Sequence, residues 1–293
     1  MMTHEWTVSA QEQGQKLLTF LTHQLQGQLS TRAIKRLIDS NCCQLNGRTD
    51  HFSSTLLSLG DHIVLKIPEE KQHLPKFFEF SRLLFEDEYL LVYNKPAFIN
   101  SDEQGIIRLL QSYYPSLILV HRLDRETTGV LLFAKNQSIF KAFVQQFKQQ
   151  QVFKQYQALV DGIISHKKGR IENALGKKRQ VDGQSYWGSI SSSQGLHALT
   201  EWQRKKTGAQ ATLVTCWPKT GRTHQLRVHF AEMGHPILGD FHYSQQFRCT
   251  YRPNRILLHA EKMTFCHPVT HQTITICASL PEDFILAEQK LFT

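Results

Sequence analysis

Val120-His121-Arg122-Leu123-Asp124-Arg125-Glu126-Thr127-Thr128-Gly129-Val130 is the most informative segment of this 293-residue chain. Two arginines flank an aspartate beside a histidine, and an apolar run, Val130 to Ala134, follows at once. That run reads as a short buried strand. A charged loop feeding a buried strand has an ordinary explanation, a surface ion-pair loop. It also has a chemical one: neighbouring cations lower the pKa of a carboxylate and keep it ionised, which suits Asp124 to act as a nucleophile or base. Glu126 is the nearest second carboxylate.

Outward from this segment the pattern is α+β. Asn136 suits a helix N-cap, with Ile139, Phe140, Phe143, Val144 and Phe147 on one side of the helix that follows. Phe153 to Val160 alternates as a strand, residues 166–195 read as a long basic hairpin or loop, and strands follow near 198–204 and 210–217. A helix is expected from Arg222 to Gly234, then strands near 256–265 and 273–277. Upstream, Leu83–Phe85 and Tyr89–Asn94 read as a hairpin. Neither regular βαβ alternation nor a glycine-rich phosphate loop is present.

The N-terminal region divides differently. Residues 1–13 read as a tail, 14–66 as a small α/β unit, 67–80 as a polar linker with two prolines, and 81–293 as the main domain. The small unit has two helical patterns, a strand entering an Asn46-Gly47 turn, and a second strand near Ile63. Its second helix carries Arg32, Lys35 and Arg36 close together, and Arg48 follows the turn.

Composition narrows the class. Lys plus Arg is 34 against 25 Asp plus Glu, a formal charge of +9, and 41% of residues are hydrophobic. A basic chain with enough apolar residues for a core points to a polyanionic partner, nucleic acid before an acidic membrane surface. No stretch of ~18 apolar residues suggests a membrane span, and the start has no secretory pattern. Six scattered cysteines without a C-x-x-C pair argue against a disulfide scaffold or zinc ribbon, so a reduced, cytoplasmic protein is expected.

Two further segments could carry chemistry. In Pro218-Lys219-Thr220-Gly221-Arg222-Thr223-His224-Gln225-Leu226-Arg227-Val228-His229, a turn opening a helix brings backbone N–H groups and cations together, as phosphate binding needs. The spacing of His224, His229 and His235 lacks the i, i+4 pair of a metal site. In Phe153 to Gly162, Tyr156 sits in an alternating strand with nothing local to distinguish it.

Together these segments resemble the RluA-type pseudouridine synthases. His121 to Gly129 is similar to that family's catalytic-aspartate motif, Lys154-x-Tyr156-x-Ala158 to its tyrosine motif, and Gly221 to His229 to its basic motif, with Gly234-His235-Pro236-Ile237-Leu238-Gly239-Asp240 following. Asn94-Lys95-Pro96 also fits. The chain departs from the family at Ala97-Phe98-Ile99-Asn100-Ser101, where Lys-Pro-x-Gly normally leads into a His-containing stretch. The N-terminal unit resembles the alpha-L RNA-binding motif of a small-subunit ribosomal protein, with a plain helical cap as the alternative.

The resemblance implies an α+β catalytic domain with a mixed, mainly antiparallel sheet flanked by helices and loops, beside a small RNA-binding domain. It implies isomerisation of uridine in structured RNA, large-subunit ribosomal RNA first, with a tRNA target or a catalytically silent RNA-binding relative as alternatives. It implies Asp124 as nucleophile or base, Tyr156 stacking near the base and helping take the C5 proton, and Arg227 paired with Asp124. Arg122 would fill in behind the flipped base, while Arg222 and the cations of 166–179 would contact phosphates, as would Arg32, Lys35, Arg36 and Arg48. No cofactor or metal, no membrane and a monomer are expected. A glycosidase reading would need Glu126 as its acid.

Overall fold

The computed structural model describes residues 2–25, 29–39, 42–49, 52–67, 78–181, 184–244 and 246–292. The chain divides into two compact units, Met1–Gln72 and His73–Thr293. Most of the expected linker, 68–77, lies outside the described residues, as do the side chains of Arg32, Arg36 and Arg48.

The first unit contains β1 (Met2–Thr7), α1 (Leu17–Gln24), α2 (Thr31–Asp39), β2 (Cys43–Leu45), β3 (Arg48–Thr49) and β4 (His62–Ile67). Its antiparallel sheet runs β1-β4-β2-β3. The turn joining β2 to β3 places Asn46 and Gly47 at φ 52° and 75°, the consecutive left-handed pair a tight hairpin requires. Leu17, Phe20 and Leu21 of α1 and Ile34 and Ile38 of α2 pack on Ile63 and Leu65 in a core of their own. The expectation of a tail over residues 1–13 is corrected here. Met2 to Thr7 pair residue by residue with Ile67 to His62. Thr3, Glu5 and Thr7 face solvent while His4 and Trp6 are half-buried, a period-two pattern too polar to stand out by hydrophobicity alone.

The second unit contains β5 (Leu83–Glu86), β6 (Leu90–Lys95), a π-turn Glu103–Ile107 running into α3 (Arg108–Leu110), β7 (Ile118–Leu119), β8 (Thr128–Ala134) and α4 (Gln137–Lys148). It continues with β9 (Phe153–Asp161), β10 (Lys168–Val181), β11 (Gln184–Ser189), β12 (Leu196–Thr207), β13 (Ala211–Pro218), α5 (Gln225–Glu232), β14 (Leu258–Cys266), β15 (Thr273–Cys277) and α6 (Glu282–Leu291). The strands form one sheet in the order β11-β10-β12-β13-β9-β14-β8-β6-β5, with β15 on β14 and β7 on β8. Pairing is antiparallel except between β14 and β8. The fold is therefore α+β, with a mixed, mainly antiparallel sheet.

Strand β8 explains its own sequence. Leu131 and Phe133 enter one core, and Val130, Leu132 and Ala134 enter the other. A strand buried on both faces reads as a continuous apolar run. Asn136 caps α4 by accepting from the Ile139 N–H at 3.0 Å, and Phe143 packs edge-on against Phe265 of β14. At the entrance to β8, Gly129 has φ 112°, and a Cβ there would lie 2.1 Å from the carbonyl oxygen of Ala260. Only glycine lets β8 approach β14 this closely. The basic 166–195 segment is a hairpin of β10 and β11.

Candidate active site

Asp124 lies in the loop between β7 and β8, and both sides of that loop are anchored. Leu123 is buried, its carbonyl accepts from the Ser101 hydroxyl at 2.9 Å, and its N–H returns to the same oxygen at 3.1 Å. The Asp124 carbonyl accepts from the Thr127 N–H at 3.0 Å, closing a turn. Thr128 then reaches His259 of β14 at 2.8 Å. The carboxylate so placed keeps 27% of its side chain exposed.

Helix α5 supplies the cation. Arg227 Nη1 donates to Asp124 Oδ2 at 3.0 Å. Its Nε and Nη2 donate to the two oxygens of Asp240 at 2.7 and 2.9 Å, the bidentate geometry peculiar to a guanidinium. Arg227 and Asp240 are buried, with side chains 6% and 1% exposed. Burial would raise the Asp124 carboxyl, but the Arg227 charge and hydrogen bond outweigh it and hold the group below the usual carboxylate range.

Histidines take supporting positions. His224 occupies the residue before α5 with φ 56°. Its Nδ1 meets the Tyr243 hydroxyl at 2.7 Å and its Nε2 stands 3.9 Å from Asp124 Oδ1. Burial, with Arg227 nearby, lowers its pKa to about 4, so it is neutral at pH 7. The Tyr243 ring carries Arg227 over its face at 5.1 Å. His121 is engaged by the backbone of β8: its Nε2 accepts from the Leu132 N–H at 3.2 Å, and burial lowers its pKa to about 3.

Tyr156 is placed by sheet register. Gly129 of β8 pairs with Ala260 of β14, Ala260 with Tyr156 of β9, and Tyr156 with Cys216 of β13. Tyr156 thus stands two strands across from the end of the Asp124 loop. Burial raises its phenol well above the ordinary value, helped by Cys216 and the Asp124 charge. At neutral pH it is a neutral phenol.

Lys95 joins the loops. It is wholly buried at the end of β6, and its Nζ donates to the carbonyls of Pro96, Ile99 and Arg125 at 2.9, 2.9 and 3.1 Å. The atypical loop after Lys95 is thereby fastened to the residue that follows Asp124.

The structure brings Asp124 and Arg227 into direct contact and adds Asp240, His224 and Tyr243. Asp240 stood in a motif already noticed, but its task is readable only in space. Tyr243 had no local signal. Arg122 is exposed, two residues from Asp124. Arg222 is partly exposed, with its Nε donating to the His197 carbonyl at 2.9 Å. The expected phosphate-binding turn is altered: His224 in the left-handed region delays α5 to Gln225, and the Arg222 N–H is taken by the Gln225 side chain at 3.0 Å. On the hairpin, Arg170 pairs with Glu172 at 2.5 Å and Lys178 with Glu232 at 3.7 Å. Arg179 lies over the Tyr186 ring at 4.8 Å. Lys35 is exposed on α2. Glu126 is buried and accepts from the Ile256 N–H at 3.2 Å, a structural bond that removes the second acid of a glycosidase reading.

This sheet, with an aspartate, arginine and tyrosine gathered on it, is that of a pseudouridine synthase domain. The solved human RNA Pseudouridylate Synthase Domain Containing 4 matches with a TM-score of 0.61 and 26% identity, over 73% of this chain and 94% of that one. The RNA pseudouridylate synthase family description matches residues 89–232. The chain is 35% identical over 299 residues to the ribosomal large subunit pseudouridine synthase C of Yersinia pestis, covering 94% of this chain and 91% of that protein. It is 33% identical over 238 residues to the dual-specificity RNA pseudouridine synthase RluA of Vibrio vulnificus, covering 76% and 92%. The chain belongs to the RluA-type RNA pseudouridine synthases, which are isomerases acting on RNA.

Proposed function

We propose that the chain converts uridine to pseudouridine in large-subunit ribosomal RNA, with Asp124 as the reacting carboxylate. One observation carries the assignment: Asp124 is partly open to solvent and held ionised by an arginine that is itself buried and clamped. The reaction breaks the bond from ribose C1′ to uracil N1 and joins C1′ to C5; C5 loses a proton and N1 gains one, so nothing is oxidised or hydrolysed. An ionised carboxylate serves either by attacking C1′ or by removing a ribose proton.

The target base leaves its stack at a cost of a few kcal/mol. Arg122, exposed beside the Asp124 loop, fills the space behind it. Tyr156, a neutral phenol, supplies a surface against which the base is held. Arg222 and the cations of β10 hold phosphates. Lys35 with Arg32, Arg36 and Arg48 gives the N-terminal unit an RNA-binding role, tested by Lys35→Glu: the log–log salt slope of binding should flatten by about 0.7–0.9 for each phosphate left without its cation. We assign the protein to the cytoplasm as a monomer.

The relatives named for the large ribosomal subunit support that RNA as target. The dual-specificity relative supports a second reading, in which tRNA is also modified. Carbodiimide mapping of pseudouridine in rRNA and tRNA, from cells with and without the gene, decides between them. A uridine modified only when the gene is present, and not restored by Asp124→Asn, is the expected result. Pseudouridine restored in full by that variant would remove Asp124 from the chemistry.

A further inference from the structure

Among the described residues, five other than glycine adopt positive φ: Asn46, Phe98, Gln150, His224 and His271. Asparagine tolerates this region well. Phe98, at φ 69°, is the one bulky aromatic among them. Two of the five meet the Asp124 loop: His224 faces Asp124 itself, and Phe98 carries the Arg125 guanidinium over its ring. His224 has its imidazole 3.9 Å from that carboxylate. The phenyl ring of Phe98 has no polar atom to present to a carboxylate, so its conformation needs another explanation.

What holds Phe98 there is clear. Its loop is gripped at both ends: Lys95 ties the carbonyls of Pro96 and Ile99 to that of Arg125, and Ser101 exchanges two hydrogen bonds with Leu123. Between these grips the chain must turn sharply, and glycine is the residue that would do so without strain. The Phe98 ring is partly exposed, and the guanidinium of Arg125, the residue after Asp124, lies 5.8 Å from its centroid. Arg125 itself is exposed. A strained backbone that carries an aromatic ring and a cation to the rim of a reactive site points to a task for that ring.

We propose that Phe98, braced by Arg125, is a stacking platform for an RNA base flanking the nucleotide that enters at Asp124. The proposal rests on the reading above that structured RNA is the substrate. An aromatic face beside a guanidinium is the arrangement that takes an unstacked base, since every base has a π-face and the adjoining cation meets its phosphate. It would act on affinity and on the choice of flanking sequence, leaving the bond-breaking step to Asp124.

The test uses full-length protein and ribosomal RNA purified from cells lacking the gene. Phe98→Ala, Phe98→Gly and Phe98→Tyr are compared with wild type by filter binding across a salt series, by single-turnover conversion at saturating enzyme, and by thermal melting. Phe98→Ala and Phe98→Gly should each weaken binding by about five- to a hundredfold, the range expected for removing one base stack. The salt slope and the saturated rate should stay unchanged, and Phe98→Tyr should bind as wild type. Phe98→Gly should melt higher than Phe98→Ala, because only glycine relieves the positive φ. Wild-type affinity in Phe98→Ala and Phe98→Gly overturns the proposal. So does a fall in saturated rate with affinity intact, which would make Phe98 a support for the Asp124 loop. If wild type leaves this RNA unconverted, the ribosomal target fails, and the same binding and conversion comparison on tRNA from those cells decides the platform.

Discussion

Arg227 meets Asp124 through a single nitrogen, Nη1, at 3.0 Å. Its other two nitrogens belong to Asp240. Asp240 therefore fixes the plane and reach of the guanidinium, and Asp124 receives a charge that cannot swing away. The Asp124 carboxylate keeps 27% of its side chain exposed while the guanidinium that meets it is buried.

Arg227→Lys should lower the single-turnover rate at least about tenfold, since a loss of ~1.4 kcal/mol in the transition state suffices for that. A lysine ammonium cannot span both carboxylates in the same fixed geometry. RNA affinity should change little. Filter binding beside rapid-quench conversion separates the two effects.

Arg227→Gln tests the pH dependence. In wild type, the rate should be insensitive to Asp124 ionisation across about pH 5–8, because Arg227 holds that carboxyl below the ordinary range near 3.9. Without the guanidinium, burial dominates and pushes the carboxyl up. The acid limb of the pH–rate profile should then move to higher pH, with the residual rate rising as the pH rises. A limb that stays in place would mean that Arg227 does not set the Asp124 charge.

Asp240→Ala leaves a buried guanidinium with one carboxylate in place of two. Breaking a buried pair by removing one partner costs about 3–5 kcal/mol, so the urea midpoint should fall sharply. Asp240→Asn keeps one acceptor and should cost less stability while still slowing turnover, because Arg227 is no longer held in its plane. Urea unfolding and single-turnover rates measured on both variants check this order.

Arg222 lies five residues before Arg227 and should behave differently. Arg222→Lys should leave the rate nearly intact, and Arg222→Ala should weaken RNA binding in a salt-dependent way, with a slope smaller by about 0.7–0.9. The Arg222 Nε bond to the His197 carbonyl orients the side chain without burying it. A slow Arg222→Lys beside a silent Arg227→Lys would reverse the two assignments.

Lys95 links stability to alkaline pH. Burial pulls its pKa down to about 7 from 10.5, the Asp124 charge only partly opposing this. Between those values the unfolded chain binds a proton that the folded chain does not. Raising the pH through this window therefore favours the native state. Lys95→Met removes the titration and leaves the buried carbonyls around it without a donor, at a cost of at least ~2 kcal/mol. The stability gap between wild type and variant should widen from pH 7 to 9.5 in urea unfolding.

Much of this was legible in the chain itself, for a local reason. The apolar run of β8, the Asn136 cap, the Asn46-Gly47 turn and the alternation of β9 each depend on neighbours a few residues away, so their sequence carries the whole signal. What was missed was local but faint. The alternation of Thr3–Thr7 sets only His4 and Trp6 inward, neither fully buried, and α6 opens behind Pro281 without a side-chain cap. The motif around Asp124 was visible as chemistry, and so were the arginines and Tyr156 as residue types.

Tertiary structure alone decided their relationships. Asp124 and Arg227 are 103 residues apart, and their contact exists because the Asp124 loop and α5 converge on one side of the sheet. Gly129 is required by the Ala260 carbonyl, which no local pattern foretells. The departure at Phe98 was visible as letters, but not as a left-handed backbone that sets a ring beside Arg125. Glu126 shows the same limit in reverse. Two residues from Asp124 in sequence, it is committed to the Ile256 N–H, because the two carboxylates sit in a turn closed by the Thr127 N–H on the Asp124 carbonyl, where the strand rule that places side chains two apart on one face does not apply.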